Sequence, residues 1–359
     1  MSVILTLIIF SIIVVIHEWG HMRAAIACGV NVEEFAVGMG PKIFGWEKNG
    51  RLYSIRLFPL GGFCRMTDET AGDKKGFMDA SVWKRIIICV AGPFMNFVLA
   101  LAVMIVLGMM TSVSTTQIES VRENSPALEA GIQPRDKIIS INGKRMHTAS
   151  DVNYAMFGSD GSTMDIVLKR GGERINVSLT PQYLKDEDRY IMGVVMLSKA
   201  PMIDVGFYDR EEIKTVPRAN LWESVQSGCY DGLFTLRVTA ESIVMLFTRD
   251  IAVDELSGPI GVTTVVGDTY QTTKKESGTA ASIIMLANIT ALLSANLGIM
   301  NLLPIPALDG GRLLVYVVEI IRRKKLPPEK EGMLNLAGFA ILMLFAVFVA
   351  FNDITRIIK

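Results

Sequence analysis

Apolar and polar positions are so unevenly spread along this chain that they divide it into segments. Val3 to Ile16 carries no charge and can continue as helix to about Cys28; Ile86 to Met110, Ala280 to Leu303 and Met333 to Phe351 are uncharged as well. Each run is close to the ~20 residues that a helix needs to cross a hydrocarbon core of about 30 Å. The pattern predicts a polytopic α-helical membrane protein with four transmembrane helices, over 1–28, 86–112, 280–303 and 333–352. Only Met1 and Ser2 precede the first run. It therefore lacks the basic leader and small-residue cleavage site of a signal peptide and reads as a lasting helix.

The intervening segments have other periods. Within 29–85, Phe35–Phe44 and Arg51–Phe58 are β-prone and flank Asn49-Gly50, a strong hairpin signal, so a membrane-associated β-hairpin is expected. From about Thr115 to Thr180 short alternating stretches are separated by turn residues, with strands expected at Thr163–Lys169 and Arg174–Leu179 around Gly171-Gly172. This predicts a soluble α+β domain over 113–200. In the following linker, 201–279, Asn220 to Phe247 mixes Leu221, Val225, Leu233, Leu236, Ile243 and Leu246 with Glu223, Asp231, Arg237 and Glu241. These charges argue against a fifth span. They fit an amphipathic helix against the membrane surface or the soluble domain, or, for the first half, an ordinary packed helix.

Composition sharpens the picture. Of 359 residues, 50% are hydrophobic and 20% charged, an apolar excess larger than a soluble core uses. Lysine plus arginine and aspartate plus glutamate balance at 36 each, which argues against a nucleic-acid partner, since that affinity comes from neutralising phosphates. Cys28, Cys64, Cys89 and Cys229 are far apart and form neither a disulfide framework nor a CxxC site. Basic residues concentrate between the first two spans (Lys42, Lys48, Arg51, Arg56, Arg65, Lys74, Lys75, Lys84, Arg85) and, within 304–332, at Arg312 and Arg322 to Lys325. The positive-inside rule makes both loops cytoplasmic and the soluble domain extracytoplasmic.

The chemistry lies at the end of the first span. His17-Glu18-Trp19-Gly20-His21 fits HExxH, in which histidines at i and i+4 share a helical face and chelate one zinc while the glutamate serves as base. With three histidines in the chain, a chance match is expected on the order of 0.001 times. Snorkelling helix-end residues or a polar helix contact are the bland alternatives. A carboxylate between two imidazoles in an apolar helix makes sense only with a compensating cation. A catalytic zinc site needs a third protein ligand. His147, beside Lys144 and Arg145, reads as a surface histidine. Asp309 is the better candidate, since Pro304 and Pro306 break the helix before it and irregular backbone at membrane depth must line protein or a wet cavity. Asp309 could equally cap the helix that begins near Gly310.

These residues resemble the site-2 proteases, intramembrane zinc metalloproteases, and in particular their bacterial RseP-like branch. The resemblance covers nearly the whole chain. It rests on His17–His21, on Asn301 to Gly310 as N-x-x-P-x-P-x-L-D-G, on Gly38-Met39-Gly40 and Pro59 to Phe63, on Ala91-Gly92-Pro93-Phe94-Met95-Asn96-Phe97, and on Ser257-Gly258-Pro259-Ile260-Gly261. Asn124 to Gly143 resembles a PDZ domain of the bacterial protease type, with room for one copy. The resemblance implies Zn2+ held by His17, His21 and Asp309, Glu18 as general base, and Asn296 and Asn301 near the substrate. It implies cleavage of single-pass membrane proteins, such as anti-sigma factors or signal-peptide remnants, in a bacterial plasma membrane. A PDZ groove can take a peptide as an added strand or act only as a steric filter. An edge of the hairpin could likewise pair with an unwound substrate, in which case proline at Ser54 or Ile55 should reduce cleavage. The rival class is a non-proteolytic metal transporter or PDZ scaffold, whose activity would survive loss of Glu18.

Overall fold

A computed structural model describes residues 2–68, 75–185, 188–205, 216–248 and 258–358; Lys74, Leu256 and Ser257 lie outside them. In chain order the elements begin with helix α1 (Ser2–Ala27), strands β1 (Val32–Lys48) and β2 (Arg51–Met66) and helix α2 (Val82–Met110). The middle of the chain holds β3 (Val113–Val121), α3 (Pro126–Glu129), β4 (Lys137–Ile141), β5 (Lys144–Arg145) and α4 (Ala149–Phe157). Next come β6 (Met164–Arg170), β7 (Glu173–Leu179), β8 (Gln182–Leu184), β9 (Arg189–Ile191) and β10 (Val194–Lys199). Four helices follow: α5 (Leu221–Thr248), α6 (Pro259–Leu302), α7 (Asp309–Arg322) and α8 (Pro328–Ile358). Two compact units divide the chain, Met1–Val103 with Thr235–Lys359, and Met104–Phe234.

Among the described residues, four helices are long and apolar enough to cross a membrane: Ser2–Ala27, Val82–Met110, Ile260–Leu302 and Glu329–Thr355. The two expected to begin at 86 and 333 extend back to Val82 and Pro328, through charged first turns that lie outside the apolar runs. Large apolar side chains along α8, Leu336, Ile341, Leu344 and Val347 among them, are exposed, which a protein tolerates when lipid covers them.

In the first unit α1 is gripped at both ends. Ile9 and Ile13 pack with Val266, Leu99, Leu286, Ile289 and Leu293, while Met22 and Ala25 pack with Val32, Phe35, Phe77, Ile88 and Tyr316. His17 and His21 sit at the join of these clusters. Arg85, at the start of α2, pairs with Glu319 of α7 at 2.5 Å in a buried position, stacks over the Tyr316 ring, and is part of what fixes α7.

Helix α6 departs from expectation. Residues 259–277, assigned to the linker by their Thr, Asp and Lys content, are helical, and the helix breaks at Gly278 (φ 86°, ψ −178°), a conformation open to glycine alone. Ser282 Oγ then lies 3.5 Å from the Tyr270 carbonyl, so the two halves run side by side. The open N–H groups of the first turn are met by a distant residue: Asp353 on α8 accepts from Gly258 N at 3.0 Å and Gly261 N at 2.9 Å.

The hairpin turns at Asn49 and Gly50 as expected, both with positive φ, and then folds on itself. Residues Glu34 to Val37 pair on one side with Leu52 to Ile55 and on the other with Gly62 to Arg65. Buried Glu34 pins the crossing, accepting from Ser54 Oγ at 2.6 Å, Arg56 at 2.7 Å and Arg65 at 2.6 Å. Burial alone would raise its pKa, but these donors outweigh it and hold the carboxyl below its usual range. Ser54 and Ile55 are paired on both sides, with Ala36 and Val37 and with Gly45 and Phe44, so they form no edge. The edge beside α1 is that of Gly62 to Met66. At the bend, Pro59 O accepts from Ser11 Oγ at 2.7 Å, six residues before His17 on α1, and Ile43, Phe44, Trp46 and Phe58 are exposed as in a hairpin that enters lipid.

The inserted unit is α+β, as expected. Its main sheet has the order β10-β3-β4-β6-β7 with β5 on β4, all antiparallel, and β8 pairs β9. Ile118, Ile132, Ile138, Ile141, Val152, Ile166 and Leu168 form its core. Among the described residues β10 ends the strand order, with no strand paired on its outer edge.

Candidate metal centre

The site is built on α1, whose 3.6-residue period sets His17 and His21 one above the other. Their Nε2 atoms are 3.2 Å apart. Asp309 Oδ2 completes a triangle, 3.1 Å from His17 Nε2 and 3.3 Å from His21 Nε2. Bonds of about 2.0–2.1 Å in tetrahedral coordination place ligand atoms roughly 3.3 Å apart, so the triangle has the size of a zinc face. Among the described residues these three form the group able to hold a metal ion.

Proton bookkeeping agrees. His21 Nδ1 lies 2.8 Å from the Ile88 carbonyl, an acceptor, so Nδ1 carries the proton and Nε2 of a neutral ring is a bare lone pair. His17 Nδ1 lies 3.2 Å from Nδ2 of the buried Asn96 amide, whose Oδ1 has no hydrogen-bond partner among the described residues. Rotated end for end, the amide would accept from Nδ1 and leave His17 Nε2 a lone pair as well. At His21, a lone pair meets a carboxylate oxygen with no proton between them. A cation is what reconciles them.

Two features bring Asp309 and the helices to this distance. Asp309 is the first residue of α7, with Leu308 at the cap position, so the capping alternative gives way: the carboxylate turns to the imidazoles and makes no cap hydrogen bond. The preceding turn holds Ala307 at φ 77°, a strained position for a residue with a Cβ, and Gly310 and Gly311 pack so tightly on the backbone of Leu302 to Pro306 that neither has room for a side chain. Between α1 and α2 the same economy appears at Gly92, where a Cβ would lie 2.6 Å from His21 Cε1 and 2.9 Å from His17 Cε1. Gly20 faces Ala91 in the same way. Small residues let two membrane helices touch at the backbone.

Glu18 points into the same cavity of about 540 Å³, and its Oε2 accepts from Cys64 N–H at 2.9 Å, on the edge of β2. Asn301 lines this cavity; Asn296 does not. Five residues along a helix is a rotation of about 140°, which carries Asn296 away from the face of Asn301. Asn96 and Gly92 were legible only as part of the Ala91–Phe97 resemblance; nothing in the local pattern marks them as neighbours of the imidazoles. His147 is exposed in the inserted unit, ring to ring with Tyr230 at 4.4 Å.

A family model, Peptidase family M50, matches residues 5–345. A protein of Clostridium acetobutylicum named as a zinc metalloprotease is 33% identical over 98% of this chain and 97% of its own. The regulator of sigma-W protease RasP of Bacillus subtilis is 31% identical, with 99% of each chain covered, and the zinc metalloprotease RasP of Oceanobacillus iheyensis is 29% identical with the same coverage. Among solved structures, the PDZ domain of an SdrC-like protein from Listeria innocua aligns with 23% of this chain and 93% of that one at 19% identity, with a TM-score of 0.22, too low to bear on the fold.

Proposed function

Given that the chain belongs to peptidase family M50, we propose that His17, His21 and Asp309 hold its zinc and that Glu18 is its general base. The protein is a multi-pass membrane zinc metalloprotease of the site-2 type. The observation that carries the assignment of ligands is the triangle of Nε2, Nε2 and Oδ2, with His21 Nδ1 committed to the Ile88 carbonyl.

When bound, zinc supplies Lewis-acid activation of water and of the scissile carbonyl. Glu18 accepts a proton from the attacking water and returns it to the leaving amine. The Cys64 N–H fixes one of its oxygens and leaves the other for the proton. Asn301 holds the substrate backbone or the developing oxyanion from the cavity wall, and Asn296, off that wall, is the weaker of the two candidates. A helical substrate must unwind to expose its peptide bond. The Gly62–Met66 edge, next to Glu18, is where the opened strand pairs. With a photo-reactive amino acid at Met66 in the Glu18→Gln background, adducts along the substrate should recur every second residue; a recurrence of three to four would mean a helical substrate and end this part of the proposal.

The substrates are single-pass membrane proteins, anti-sigma factors or signal-peptide remnants. Support for the first comes from the relative named a regulator of sigma-W protease. The inserted unit is of PDZ type and extracytoplasmic, a reading supported by the basic residues of the two opposite loops and by the unpaired edge of β10, which can accept a peptide. The deciding experiment pairs metal analysis of purified protein with cleavage of a single-pass reporter. Glu18→Gln should keep stoichiometric zinc and lose activity by about 100-fold or more; His17→Ala should lose both. Turnover of the reporter by the Glu18→Gln protein would remove Glu18 from the role of general base.

A further inference from the structure

The inserted unit has a second cleft, of about 420 Å³, that the chemistry above does not use. One wall is β3 with Lys137 and Ile139 of β4 and the stretch Arg145–Thr148, the other the first turns of α5. Lys137 and Arg145 line it, both exposed and, among the described residues, without an acidic partner. Lys199 also lines it but is neutralised by Glu223 at 2.5 Å. The cleft thus carries two uncompensated positive charges. Thr116 lines the same cleft at 1% exposure, and its hydroxyl has no hydrogen-bond partner among the described residues. A buried hydroxyl without a partner is rare enough to call for one.

The position of the cleft says where its ligand comes from. Its lining begins at Val113, three residues past the end of α2 at Met110. The opposite wall is locked to the same helix end: Gly108 packs on Ser224 O and Gly228 on the Ile105 backbone, with no room for a Cβ at either, and Ile203 N donates to Met109 O at 2.8 Å. Both walls are therefore tied to the point where a transmembrane helix leaves the hydrocarbon. Trp222, 72% exposed in the first turn of α5, is the residue type that favours this depth.

We propose that this cleft binds the phosphate of an anionic phospholipid headgroup, with Lys137 and Arg145 as the cationic donors and the Thr116 hydroxyl as a buried donor. Such a contact fastens the inserted unit to the headgroup layer independently of any peptide on β10.

The test uses the full chain in detergent, with retained lipid read by native mass spectrometry against phosphatidylglycerol, phosphatidylcholine and inorganic phosphate. Wild-type protein should retain phosphatidylglycerol in preference to phosphatidylcholine. Lys137→Gln with Arg145→Gln should lower that retention about tenfold. Lys185→Gln with Arg189→Gln, the same charge change on the β8–β9 hairpin, should leave it unchanged. Thr116→Val should lower retention severalfold without lowering the melting temperature, since it removes a hydroxyl that bonds to nothing in the unliganded fold. Equal retention by the Lys137/Arg145 variant, or equal loss in the hairpin control, overturns the proposal. Displacement of the lipid by an equal concentration of inorganic phosphate would assign the site to a free anion and overturn the lipid assignment.

Discussion

Two aspartates, Asp136 in the inserted unit and Asp309 in the first, meet opposite surroundings. Asp136 in the inserted unit is 1% exposed and fully matched: Arg170 donates to both its oxygens, at 2.8 and 2.7 Å, and Gln133 N–H adds a third bond at 2.9 Å. Asp309 in the first unit is part-buried, its side chain 16% exposed, and its nearest partners are two imidazole Nε2 atoms, with Glu18 lining the same cavity. The first arrangement is complete as it stands and holds a loop in place. The second is complete only with a cation, and that incompleteness is the mark of a functional site.

The comparison is broken most forcefully by removing each carboxylate. Asp309→Ala should abolish zinc binding and proteolysis while leaving the unfolding temperature of zinc-free protein unchanged or higher, because it relieves a crowd of acceptors. Asp136→Ala should do the reverse, stranding Arg170 and lowering the melting transition of the inserted unit by several degrees, with zinc content intact. Calorimetry and metal analysis on the two variants check both halves. An Asp309→Ala protein that keeps stoichiometric zinc would erase the distinction.

A smaller but still large effect is expected at the α1–α2 contact. Gly92→Ala places a methyl group against both imidazoles, and zinc affinity should fall by at least about 100-fold although no ligand is touched. Asn96→Ala should cost about 10- to 100-fold in zinc affinity through loss of the amide that faces His17 Nδ1 and, with its oxygen rotated there, would accept from the ring. Asn96→Asp, which keeps an acceptor, should recover most of it. Competition titrations with a chelator report all three, and equal losses for the two Asn96 variants would show that packing, not the hydrogen bond, is what matters there.

What could be read in advance follows the range of the interactions. The histidine pair is local, four residues on one helix, and the four apolar runs and the Asn49-Gly50 turn are local as well; each run lies within a helix, though three of those helices begin earlier than the apolar pattern does. Asp309 was legible through the two prolines that break the helix before it. The Asn96 contact spans 79 residues, and Asp353 caps a helix 92 and 95 residues away, so no periodicity carries either signal. The helix over 259–277 was hidden for a related reason: its polar residues dilute the hydropathy, and the cap that starts it comes from another element. Asn296 and Asn301 look equivalent in sequence, and only the helical rotation between them separates the one that lines the cavity from the one that does not.

The mildest way to sharpen the contrast is with pH, at the matched aspartate. The Arg170 guanidinium, against the opposing pull of burial and with help from Gln133 N–H, holds the Asp136 carboxyl below its ordinary 3.8 in the folded protein. A group whose folded pKa lies below its unfolded one contributes stability that is fully present above the unfolded value and is lost as pH falls through the folded value. The melting temperature of the inserted unit in the intact protein should therefore be insensitive to Asp136 from neutral pH down to about 4 and decline below it. Arg170→Gln removes the cause of the shift, so the variant should melt lower at neutral pH and show a shallower decline in acid, and the two curves should converge at the lowest pH. Parallel curves separated by a constant offset would mean that Arg170 acts through packing alone, and the pairing that distinguishes Asp136 from Asp309 would lose its electrostatic basis.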